Sequence, residues 1–240
     1  MQTGTFAETD GNAGNICLNA NELIIDKGTI ISSTLGNRRG GNIDIFSTDV
    51  KMNDGSIKAR SIGGLGDAGS ISLTAKTISL NDLSIISTSA TQTGGGNIEV
   101  QVHDHLHLFD SGITARTQGN QPHHSGKNLT IRKPQLLTLN NSQLLANAYA
   151  GNGGNISIIA GHFIQSSDSL LSASSELGID GNITIDSSIE DFSDIQVLPS
   201  KFGDKPKLLN NRCAIRSRQG FSTFRITTRD VLPVSPEDLR

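Results

Sequence analysis

Apolar residues in this chain come in short alternating bursts, and the bursts return at a nearly constant period. Each burst is announced by a small phrase such as "GNAGNICL" (11–18), "RGGNIDI" (39–45), "GGGNIEV" (94–100), "GNGGNISI" (151–158) or "GIDGNITI" (178–185). Diverged copies, "DAGSISL" (67–73) and "SGKNLTI" (125–131), lie between them. The residue before the first Ile or Leu of each copy serves as a marker: Asn15, Asn42, Ser70, Asn97, Asn128, Asn155 and Asn182. The marker spacings are 27, 28, 27, 31, 27 and 27 residues. In the first unit the inward candidates are Ile16, Leu18, Leu23, Ile25, Ile30 and Ser32. In the second they are Ile43, Ile45, Val50, Met52, Ile57 and Ala59, and in the third Ile71, Leu73, Ile78, Leu80, Ile85 and Ser87. Three pairs of alternating positions per unit predict three short strands separated by turns.

A unit of this size cannot bury its own apolar side, but stacked units can, because each inward Ile or Leu then lies one strand spacing above its equivalent. The expected fold is all-β: a right-handed parallel β-helix of about seven three-strand coils, with right-handed coiling as the default for parallel crossovers. The last inward position is small in the first six units (Ser32, Ala59, Ser87, Ala115, Ala146, Ala173), which suits a tight corner. The glycines of the phrase are expected to supply positive φ at a turn. The markers Asn15, Asn42, Asn97, Asn128, Asn155 and Asn182 are expected to form a structural hydrogen-bonded ladder from coil to coil.

The organisation follows from the repeat. Residues 1–13 form a polar lead-in, 14–189 the solenoid, and 190–240 a C-terminal cap or tail. The tail carries four of the eight Phe, four of the six Pro and nine of the twenty Lys and Arg. The longest spacing, after Asn97, places its extra residues in "RTQGNQPHHSGKN" (116–128), so a protruding loop is expected there. Residues 1–13 are too polar and Gly-rich to make a full coil above the first one. End-to-end self-association or fraying at 15–33 is therefore expected.

Composition narrows the function. With 20 basic and 23 acidic residues the chain is close to neutral, which gives no argument for nucleic acid as a partner. Aromatics are scarce, and Cys17 and Cys213 form no metal knuckle. No apolar run is long enough to span a bilayer as a helix, and the opening residues lack the pattern of a secretory signal. The glycine-rich phrase is not a phosphate loop, since no Walker lysine and no helix-period segment follow it.

Candidate chemistry is confined to two places. His103, His105 and His107 alternate on one strand, with His123 and His124 in the long loop of the same coil, and together they are the candidate ligands for Zn²⁺ or Cu²⁺. Asp54, Asp82, Asp110, Asn141 and Asp168 share one repeat position before the third strand. Such a column could chelate Ca²⁺ or offer paired acids to a glycosidic bond, but Asp and Asn also belong there simply as turn residues. The turn reading is the expectation, so no catalytic residue and no cofactor is assigned.

The coil phrase, together with the ending "CAIRSRQGFSTFRITTRDVLPVSPEDLR" (213–240), resembles the C-terminal part of filamentous-haemagglutinin-type large exoproteins of two-partner secretion systems. The carrying residues are Cys213, Ser222-Thr223-Phe224, Arg229-Asp230, Pro233 and Pro236. The resemblance implies a right-handed β-helix and export through a dedicated outer-membrane transporter. It also implies a secreted or cell-surface location as part of a longer protein, and contact with glycans or proteins of host or neighbouring cells. The N-terminal secretion domain of that family has no counterpart in these residues. The expected function is that of a non-catalytic adhesive stalk. The alternative is a carbohydrate-active β-helix enzyme of the lyase or hydrolase type.

Overall fold

A computed structural model describes residues 2–5, 12–35, 37–63, 65–188, 216–217 and 220–221. Within them the chain is all-β and winds as a right-handed parallel β-helix. Six coils are complete, and a seventh contributes its first strand. Strand β1 (Gln2–Thr5) precedes the coils. The first four coils each pair a long strand with a short one: β2 (Ile16–Asp26) with β3 (Thr29–Thr34), β4 (Ile43–Asn53) with β5 (Ser56–Ser61), β6 (Ile71–Asn81) with β7 (Ile85–Ala90), and β8 (Ile98–Phe109) with β9 (Gly112–Thr117). The fifth coil has β10 (Leu129–Arg132), β11 (Leu136–Asn140) and β12 (Gln143–Leu145). The sixth has β13 (Ile156–Gln165) and β14 (Leu170–Ser172), and β15 (Ile183–Ser188) opens the seventh.

The three predicted strands per coil are present, but the first two run on as one long bent strand in most coils. They separate only in the fifth, where Lys133 takes a φ of 65° and Pro134, which has no N–H to give to a ladder, follows it. The coils therefore build two parallel sheets, one ordered β1-β3-β5-β7-β9-β12-β14 and the other carrying the long strands.

Stacking in register makes the core. Ile16, Ile43, Ile71, Ile98, Leu129 and Ile156 form one column, each at most 1 % exposed, and parallel pairing aligns them directly. Buried Ile45, Leu73, Val100, Ile131 and Ile158 form the next column. Full burial of such side chains contributes about 1.5–3 kcal/mol each. The polar tips of the outward residues alternate with them, as a strand requires.

Three expectations shift. In the third coil Ile86 and Thr88, not Ile85 and Ser87, point inward: Ile57 pairs with Ile86, while Ile85 is 38 % exposed. The cause is one extra residue in the preceding turn, where Asp82 and Leu83 both adopt positive φ, and a one-residue slip exchanges the faces of a strand. In the fourth coil the surplus lies in the long loop as expected, since Ala90 still pairs with Thr117 in the regular register, but the alternation of β8 is broken before it. Ala75 pairs with Val102 and Thr77 with His105, so His103 and Asp104 stand opposite Lys76 alone in a β-bulge. Finally, the lead-in is not wholly outside the solenoid, because β1 pairs with β3 in parallel.

Beyond Ser188 the described residues are few. β16 (Arg216–Ser217) and β17 (Gly220–Phe221) pair antiparallel. The expected cap or tail over 190–240, and Cys213 within it, otherwise lie outside the described residues. The chain divides into two compact units, 1–191 and 192–240.

Candidate functional site

Two turn columns and one outward face run along the solenoid, and each contains residues singled out in the sequence. The first column is the Gly-Asn corner. The Oδ1 of Asn15 accepts the N–H of Asn42 (2.8 Å), and the Oδ1 of Asn42 accepts that of Ser70 (2.9 Å). Ser70 offers its Oγ to the N–H of Asn97 (3.2 Å), and the series continues through Asn128 (3.0 Å), Asn155 (3.1 Å) and Asn182 (2.9 Å). The predicted ladder exists, with side chain bonded to backbone rather than side chain to side chain. Each marker after Asn15 also returns a bond, since its carbonyl accepts the N–H of the residue that follows the marker one coil earlier, as Asn42 does from Ile16 at 2.8 Å.

The glycines of this corner serve another purpose than expected. Among the described residues only Gly63 has a glycine φ in the positive range. What demands glycine is crowding: a Cβ on Gly41, Gly69 or Gly96 would run into the carbonyl of the equivalent glycine one coil earlier. The small inward residues close the same corner, with Ser32 donating to the Gly14 carbonyl (3.1 Å) and Thr88 to that of Gly96.

The second column is the Asp position. Lys27, Asp54, Asp82, Asp110 and Asn141 all lie at φ between 48° and 53°, so these are left-handed turn residues, a conformation Asp and Asn tolerate best among residues with a Cβ. Asp168 is outside this set. The column lines a groove of about 850 Å³ together with Asp26 and the exposed Leu83. Asn141 donates from Nδ2 to Asp110 Oδ1, which ties two rungs together.

Directly after this column comes a ladder that sequence reasoning missed. Ser84, Ser111, Ser142 and Ser169 are buried, and their hydroxyls bridge coils: Ser142 Oγ accepts the Ser111 N–H (3.1 Å), and Ser169 Oγ accepts the Ser142 N–H (3.0 Å). Each donor is also spent, Ser142 to the Asn140 carbonyl (2.8 Å) and Ser111 to that of Phe109 (2.7 Å). The available signal was the dipeptide Asp-Ser or Asn-Ser at 110–111, 141–142 and 168–169. Ser142→Ala leaves the buried Ser111 N–H without its acceptor and is expected to cost about 1–3 kcal/mol in chemical denaturation. An unchanged midpoint would show that the hydroxyl is dispensable.

The histidines do not converge. The bulge separates His103 from His105, and His107 commits its Nδ1 to Thr138 Oγ1 at 2.6 Å. In the loop, His123 and His124 stack edge-on with ring centroids 4.3 Å apart. Partial burial and the neighbouring His123 lower the His124 pKa below the ordinary histidine value, partly offset by Asp67. Among the described residues no three His, Cys, Asp or Glu side chains are grouped so as to hold a metal ion. The five candidate ligands thus do not make one centre.

Ion pairs cross between coils at Lys51–Glu22 (2.8 Å), Lys76–Asp104 (3.5 Å) and Arg132–Glu99 (3.5 Å). All partners but the half-buried Asp104 are exposed, where such pairs contribute little. Comparison with protein-family models, with curated proteins and with solved structures gives no match.

Proposed function

We propose that this chain is a non-catalytic adhesive stalk, the C-terminal portion of a secreted haemagglutinin-like surface exoprotein. The observation that supports this most is the repetition of the same polar surface on coil after coil. The Asn rungs of the corner are solvent-exposed, and the outward positions of β4, β6 and β8 are mostly polar and half-buried or exposed. A rod of this kind meets a partner through many equivalent weak contacts, and avidity multiplies them without any single strong site. In this reading the chain travels through an outer-membrane transporter as part of a longer product and faces glycans or proteins of other cells.

The acidic groove keeps the carbohydrate-active alternative specific enough to test in the same experiment. Beads coated with the purified chain are expected to be retained on cell monolayers, saturably and in competition with free protein. Soluble polysaccharides incubated with the chain are expected to release no new reducing or unsaturated ends. Lack of retention would sink the adhesive reading, and release of chain ends would replace it with an enzyme.

A further inference from the structure

The marker asparagines use only half of their carboxamides. In Asn15, Asn42, Asn97, Asn128 and Asn155 the Oδ1 is occupied by an N–H of the next coil, which forces Nδ2 to the other side. For Asn15, Asn42, Asn97, Asn128 and Asn155 that Nδ2 has no hydrogen-bond acceptor among the described residues, and all five side chains are exposed. Asn182 alone turns its Nδ2 to Thr184 Oγ1, at 3.0 Å. The result is a straight row of neutral N–H₂ donors, with the Ser70 hydroxyl filling the third rung. They step by one strand spacing, ~4.8 Å, over roughly 24 Å from the first coil to the sixth. Along the first coils the row borders a groove of about 590 Å³ whose charged lining residues are Arg39, Asp67 and Lys127.

We propose that this row is a binding track for an extended β-1,4-linked polysaccharide lying parallel to the solenoid axis. It rests on the adhesive reading and names the ligand class for it. Neutral carboxamide donors match hydroxyl and ring oxygens rather than formal charges. A β-1,4-linked hexose chain is a nearly straight ribbon that advances by close to one strand spacing per sugar, and because successive sugars are turned over, each edge presents a hydroxyl or ring oxygen at every step, of alternating kind. An extended peptide fits worse, because its same-side groups recur every ~6.8 Å, out of step with the coils. The donors are also pre-oriented: their rotamers are held by the ladder, so little side-chain freedom is lost on binding. Single contacts are weak, and the row multiplies them.

The test uses cellohexaose, with maltohexaose as a coiled control, on the ¹⁵N-labelled full chain. Cellohexaose is expected to shift the side-chain amide resonances of Asn42, Asn97 and Asn128, and maltohexaose to bind at least tenfold more weakly. The double variant Asn42→Ser, Asn97→Ser keeps an oxygen acceptor for the next coil, as Ser70 does naturally, but deletes two carboxamide donors. It is expected to keep its unfolding temperature and to lose at least tenfold in cellohexaose affinity. Should it fail to fold, Asn42→Asp retains the acceptor and is expected to show the same direction of loss. Unmoved Asn amide resonances, equal affinity in a folded variant, or equal binding of maltohexaose would each overturn the proposal. Beads that still adhere to cells in that event would leave the adhesive reading standing, whereas loss of both would remove it as well.

Discussion

Replacing Ile98 with Asp is expected to destabilise the solenoid by about 4–5 kcal/mol, enough to unfold much of it at room temperature. Ile98 is 1 % exposed and sits in the central column, paired with Ile71 on one side and Leu129 on the other. A carboxylate there has no cation within the apolar interior, so it either stays charged without a partner or takes up a proton to be buried. Both are costly. The neighbour Glu99 provides the control, since its side chain points to solvent and pairs with the exposed Arg132 at 3.5 Å. Glu99→Asp is expected to stay within about 0.5 kcal/mol of the parent, the usual range for a surface change. Thermal unfolding followed by circular dichroism separates the two. A Tm for Ile98→Asp equal to that of the parent would mean that the faces of β8 are reversed.

The second large effect is expected from a single methyl group. Gly96→Ala places a Cβ against the backbone of Gly69, both its carbonyl and the following Ser70 nitrogen. Backbone cannot rotate away as a side chain can, so the coils must separate at the corner. That stretches the Asn ladder beside it and the β6–β8 pairing that begins two residues later. A cost of about 3 kcal/mol, the upper end for overpacking, is expected. Gly112→Ala is the matched comparison: its Cβ would meet its nearest atom at 3.5 Å, an ordinary contact, so it is expected to be neutral or slightly stabilising through reduced freedom of the unfolded chain. Equal midpoints for the two alanine variants in urea would refute the crowding argument.

The difference between these glycines shows where sequence reading stops. Both lie beside β-branched strands, and only the distance to the neighbouring coil tells them apart. The same limit explains the third coil. Alternation alone admits either Ile85 or Ile86 as the inward residue, and the choice is made by Asp82 and Leu83, whose paired positive φ values absorb one residue in the turn. In the fourth coil the alternation of His103, His105 and His107 suggests one face, but a bulge opposite Lys76 interrupts it, and no local pattern marks a bulge.

The amino-acid sequence by itself determined the architecture, because the 27-residue period and the alternating Ile and Leu positions leave a stacked coil as the way to bury them. It also determined the Asn ladder, since identical residues at one repeat position must lie above one another once the coils stack. The tertiary structure decided what each repeated residue does there. It made the Gly phrase a close-approach device, the Asp column a set of left-handed turn residues, and the serines behind it a buried relay. The reason is physical: periodicity fixes which residues share a column, but the few ångströms between coils decide which atoms in that column touch.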